Sequence, residues 1–191
     1  MITVREIIAA LYGAIGIARL DENLFAVFDT SQRGFWRSFW AAALVAPGVA
    51  VLTLAGYAVQ GLAEAGVTWT VVAEVSAYVM SWVLWPLVMA HLAPGMGVQD
   101  RLFAYLVPYN WFRVLEIAVL VPVIGASMVG AVPPAGGLFL SALVTAGILF
   151  YEGWIARKTL GVGVMTAVLL VAVDFLLHIT IDATKTILLT N

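Results

Sequence analysis

The sequence predicts an all-α polytopic transmembrane helix bundle, with five spans and an N-terminal interfacial amphipathic helix. Three observations predict it. Of 191 residues, 63% are hydrophobic and only 10% are charged, whereas a soluble domain carries about 25% charged residues. The apolar residues fall into five long runs, each near the roughly 20 residues a helix needs to cross a bilayer. The arginines and lysines gather on alternate connections, the pattern left by repeated crossing.

Residues 4–20, VREIIAALYGAIGIARL, are too short and too interrupted to span. Ile7, Ile8, Leu11, Tyr12 and Ile15 share one helical face, which suits a helix lying in the interface. The alternative is a short helix packed on the protein's own cytoplasmic side. Gly13 and Gly16 are spaced as at close helix contacts, but such spacings are too common in this chain to assign an interface. The first 30 residues do not read as a cleaved signal. Arg5 and Glu6 precede only a weakly apolar stretch, and Asp21, Glu22, Asp29 and Arg33 follow before any long apolar run. Asp29, Thr30, Ser31 and Gly34 supply turn and cap chemistry. Residues 1–34 therefore form a cytoplasmic or interfacial segment, and residues 35–191 the transmembrane domain.

The run FWRSFW at 35–40 surrounds Arg37 with aromatic rings and follows Arg33. Rings and snorkelling arginines at the start of an apolar run mark a membrane boundary. The spans are read at 36–60, 68–92, 102–124, 136–156 and 163–188, the third starting as late as Pro108 on one reading. Pro47, Pro86, Pro108 and Pro122 lie within or near spans, where neighbouring helices satisfy freed carbonyls. VGAVPPAGG breaks the chain between the third and fourth. Arg5, Arg19, Arg33 and Arg37 precede the first span, Arg101 joins the second to the third, and Arg157 and Lys158 join the fourth to the fifth. The connections at 61–66 and 125–137 have no arginine or lysine. This distribution predicts a cytoplasmic N-terminus and an outside C-terminus, with Lys185 against the rule. No strong internal repeat is visible, which counts against a single-chain carrier of the inverted-repeat type. A homo-oligomer would restore symmetry.

Function is sought where ionisable residues enter apolar spans, since these are costly and face a partner, a cavity or water. VDFLLHITIDATK places Asp174, His178, Asp182 and Lys185 at spacings of four, four and three, expected on one helix face. The third span carries Arg113 and Glu116. Starting that span at residue 102 puts Arg113 and Asp174 both about 16 Å deep, with Glu116 and His178 both at about 21–22 Å. Two ion pairs are then expected: Arg113 with Asp174, and Glu116 with His178. A start at Pro108 would instead let Arg113 snorkel, with Tyr109, Asn110 and Trp111 as an interfacial belt. His178 between two aspartates suits a proton relay, or a histidine satisfied by Glu116 or a backbone carbonyl. Glu74, in the second span, matches Lys185 or Asp182 in depth and is expected in an outer polar pair. Tyr78, Ser81, Trp82 and Trp85 are expected to pack or to face lipid.

Much chemistry is excluded. With no cysteines, disulfides and thiolate catalysis do not arise. A net charge of −2 with no basic run does not suit nucleic acid. His91 and His178 are the two histidines, and their depths differ by roughly 20 Å, too far to ligate one haem. His178 with Asp182 is a loose metal signal. No hydrolase, P-loop, metalloprotease or dinucleotide motif occurs, so no enzyme, cofactor or resident metal is expected.

SWVLWPLVMAHLAPGMG at 81–97 and RLFAYLVPYNWFRVLEI at 101–117 sit within a layout of a polar N-terminal segment followed by five spans with short connections. Over residues 35–190 this layout resembles the bacterial branch of the Yip1 family. The resemblance implies a non-catalytic protein of a bacterial inner membrane. Eukaryotic members of the family are associated with vesicle trafficking, membrane shaping and small-GTPase partners. The expected partners are the lipid bilayer and other membrane proteins. The other function the residues support is a small oligomeric channel or proton-coupled carrier, built on Arg113, Glu116, Asp174, His178 and Asp182.

Overall fold

The computed structural model describes residues 2–61 and 66–190. Among them are seven α-helices: α1 (Val4–Ala18), α2 (Gln32–Ser38), α3 (Trp40–Gln60), α4 (Val67–Gly95), α5 (Leu102–Met128), α6 (Pro134–Leu160) and α7 (Val164–Thr190). No strand occurs among the described residues. Five segments are long and apolar enough to cross a membrane: α2 with α3, then α4, α5 with the turn before it, α6 and α7. Of the 61–66 connection, residues 62–65 lie outside the described residues. The helix of the third span starts at Leu102 rather than Pro108, and the Arg113 side chain turns into the bundle to donate to the Ser81 carbonyl.

α5 is the hub, packing against α1, α2, α3, α4 and α6. From Tyr105 to Phe112 every residue is buried. A helix enclosed on all sides carries no amphipathic stripe, which is why its centrality is silent in the hydropathy pattern. Tyr109, Asn110 and Trp111 are 1%, 0% and 3% exposed. They are core residues rather than an interfacial belt. Asn110 Nδ2 donates to Ser38 Oγ (2.8 Å), which donates to the Phe35 carbonyl (2.7 Å), fixing α2 to α5.

α1 starts with a capping box. The Thr3 backbone N–H donates to Glu6 Oε2 (2.7 Å), and the Glu6 N–H donates to Thr3 Oγ1 (3.3 Å). The face α1 packs on the bundle overlaps the predicted stripe only at Ile7 and Leu11, which are half-buried against the core. Ala10, Gly13, Ala14, Gly16 and Ile17 are buried, while Ile8, Tyr12 and Ile15 point outward. Small residues hold the centre of the inward face because they let helices approach closely. Gly13 and Gly16 do mark a contact: the Phe28 ring and the Leu24 side chain fill the places a β-carbon would take. Arg37 pairs with Glu6, Lys158 with Glu22, and Tyr151 Oη donates to the Ala18 carbonyl (2.8 Å). These contacts hold the N-terminal segment to the end of the bundle that carries Arg33, Arg37, Arg101, Arg157 and Lys158, here called the basic end.

Candidate functional site

Polar side chains inside the apolar part of the bundle concentrate between α4, α5 and α7. Tyr109 Oη donates to Asp174 Oδ2 (2.5 Å). One turn further on, Arg113 Nη2 lies 3.3 Å from His178 Nε2. Arg113 Nη1 donates to the Ser81 carbonyl (2.8 Å), and its guanidinium carbon lies 4.4 Å over the Trp82 ring. His178 Nδ1 faces the Asp174 carbonyl oxygen at 3.0 Å and Asp174 Oδ1 at 3.4 Å. The hydrogen-bond geometry suits Nδ1 donating to that carbonyl and Nε2 accepting from Arg113.

The two predicted ion pairs are therefore replaced. Among the described residues Arg113 forms no ion pair with Asp174, and Glu116 forms none with His178. Both observed links join residues 65 apart in sequence. The expected pairs would have needed a register about one turn different, roughly 5–6 Å. Equal depth alone cannot set register to better than a turn, and a tyrosine hydroxyl competes well for a buried carboxyl. The backbone-carbonyl option for His178 is the one realised.

Asp182 also departs from expectation. Eight residues beyond Asp174, it has drifted about 80° around the helix. Its side chain is 72% exposed and contacts Lys185 Nζ at 2.8 Å. The inward face of α7 is instead Asp174, His178, Ile181 and Lys185. Lys185 reaches Glu74 Oε2 (3.4 Å), and Tyr57 Oη donates to Glu74 Oε1 (2.8 Å). This outer contact, expected from depth, ties α3, α4 and α7 together.

Glu152 on α6 was missed. It is 7% exposed and lies within electrostatic reach of Glu116, Asp174 and Arg113. Its signal was available, as the lone acid in the apolar run LFYEGWI. Arg113 thus has three carboxyl groups, Glu116, Asp174 and Glu152, within electrostatic reach. Glu116 Oε1 and Asp174 Oδ1 are buried without a hydrogen-bond partner among the described residues. Trp85 and Tyr105 extend the polar chain below Tyr109, with Trp85 Nε1 donating to Tyr105 Oη (2.9 Å). Among the described residues no group of three or more His, Asp or Glu side chains could hold a metal ion.

Five apolar helices joined by buried polar contacts are consistent with an integral membrane protein. Compared with known protein families, curated proteins and solved structures, the chain matches none.

Proposed function

We propose that this chain is a non-catalytic membrane protein of Yip1-like type that organises the bilayer or partner proteins. In this reading the polar seam is a clamp between helices. The observation that carries it is Arg113, whose guanidinium is engaged at once by α4, through the Ser81 carbonyl and the Trp82 ring, and by α7, through His178. A cation so committed fixes helix positions. Removing one partner from such a buried arrangement costs several kcal/mol, about 3–5. The outward Ile8, Tyr12 and Ile15 of α1 suit an interfacial helix beside the basic end. That end is cytoplasmic by the positive-inside rule, in a bacterial inner membrane.

One observation favours a second reading, a small proton-coupled channel or carrier. The buried acceptors Glu116 Oε1 and Asp174 Oδ1 have no hydrogen-bond partner among the described residues, a costly state for a purely structural seam. The test is proton flux into liposomes under a pH gradient, using the intact chain, Asp174→Asn and His178→Ala. The clamp predicts no flux above empty liposomes and reduced thermal stability in both variants. Flux abolished by both variants with the fold retained would replace the clamp by the second reading.

A further inference from the structure

We propose that the groove between α6 and α7 binds an anionic phospholipid, its acyl chain along the groove and its phosphate on Arg157. The groove encloses 530 Å³. Gly153 and Ala172 line it without bulk, while Phe150, Trp154, Val168 and Phe175 surround it with apolar surface. It runs along α6 from Ala146 to Arg157 and along α7 from Val164 to Phe175. Each stretch is about 16 Å long at roughly 1.5 Å per residue, close to half of a roughly 30 Å hydrocarbon core. A partner helix would call for contact across the full span. A groove one leaflet long suits a single acyl chain.

The mouth of the groove supplies the headgroup chemistry. Arg157 is its sole charged lining residue, is exposed, and its side chain has no hydrogen bond or ion pair among the described residues. The neighbouring cations are engaged: Lys158 with Glu22, and Arg101 with the Leu160 carbonyl (3.1 Å). Val164, at the same mouth, opens α7, whose first turn presents backbone N–H groups without intrahelical partners. A guanidinium beside a helix N-terminus favours an anion.

The test is native mass spectrometry of the purified full chain in detergent, titrated with phosphatidylglycerol or phosphatidylcholine of matched acyl chains. Preferential retention of phosphatidylglycerol is expected. Arg157→Gln should lower its occupancy about fivefold, the contribution of one basic residue at an anionic lipid surface. Arg33→Gln removes the same charge away from the groove and should leave the preference intact. Ala172→Trp fills the groove and should weaken both lipids, with circular dichroism and elution volume reporting retained fold. Equal retention of the two lipids, or equal losses in R157Q and R33Q, would overturn the proposal. So would a purified dimer that A172W separates, because the groove would then hold a second copy.

Discussion

Tyr109→Phe isolates the contact on which the polar seam turns. The hydroxyl it deletes lies 2.5 Å from Asp174 Oδ2, between residues 1% and 2% exposed. Asp174 Oδ1 already lacks a hydrogen bond, so the substitution leaves the carboxyl with only the His178 ring nitrogen nearby, 3.4 Å from Oδ1. Hydrogen bonds between membrane helices average about 0.6 kcal/mol and reach about 1.7, because the unfolded chain in lipid also finds partners. Bonds to charged groups in soluble proteins contribute about 1.5–3 kcal/mol. Full burial places this bond where the two ranges meet, at about 1.5 kcal/mol. The assay is unfolding in mixed micelles by titrated dodecyl sulfate, followed by tryptophan fluorescence. Asp174→Ala and the double variant complete a cycle, which separates the pairwise contribution from the cavity left by Asp174→Ala. A coupling below about 0.5 kcal/mol, the additivity seen for independent sites, would show that the hydroxyl and the carboxyl do not hold one another.

Other perturbations follow from the same contacts. The Thr3 backbone N–H and then its hydroxyl hold the Glu6 carboxyl below its ordinary value of 4.5. A depressed carboxyl stabilises the fold above its unfolded value and loses that contribution as pH falls through the folded one. Protection factors in α1, the exchange rates corrected for their intrinsic pH dependence, should therefore be high at neutral pH and fall below pH 4.5, with Thr3→Val weakening that acid dependence. Gly34→Ala places a β-carbon against the Asp29 carbonyl and should cost about 1–3 kcal/mol by overpacking, read in the same micelle titration. Glu152→Gln removes one of three acids around a single guanidinium, so it should be neutral or raise the thermal midpoint. A fall of several degrees would show that Glu152 carries an attractive contact.

What the sequence made legible was set by hydropathy and by charge. The five spans emerge within a few residues because composition alone decides them. The Glu74–Lys185 contact was legible because both residues are charged and depth narrows the choice to one turn. Tyr109 was not, since a tyrosine beside Asn110 and Trp111 reads equally well as an interfacial anchor. Its role depends on α5 being enclosed on every side, which is a property of the other helices. Asp182 was misplaced by counting in fours, where the 3.6-residue period carries the third member off the face. The packing face of α1 was obscured because small residues leave no mark in a hydropathy profile.

The seat of α1 has a consequence for synthesis. Its partners are α5 and α6, and Tyr151, which bonds the Ala18 carbonyl, lies 133 residues downstream. α1 thus waits for helices far downstream before it can take its place. Its packing on α5 and α6 cannot form until both have been made. Closing such a distant contact is a slow, late step. Ribosome-stalled chains ending before α6 should expose α1 to protease, and chains that include α7 should shield it.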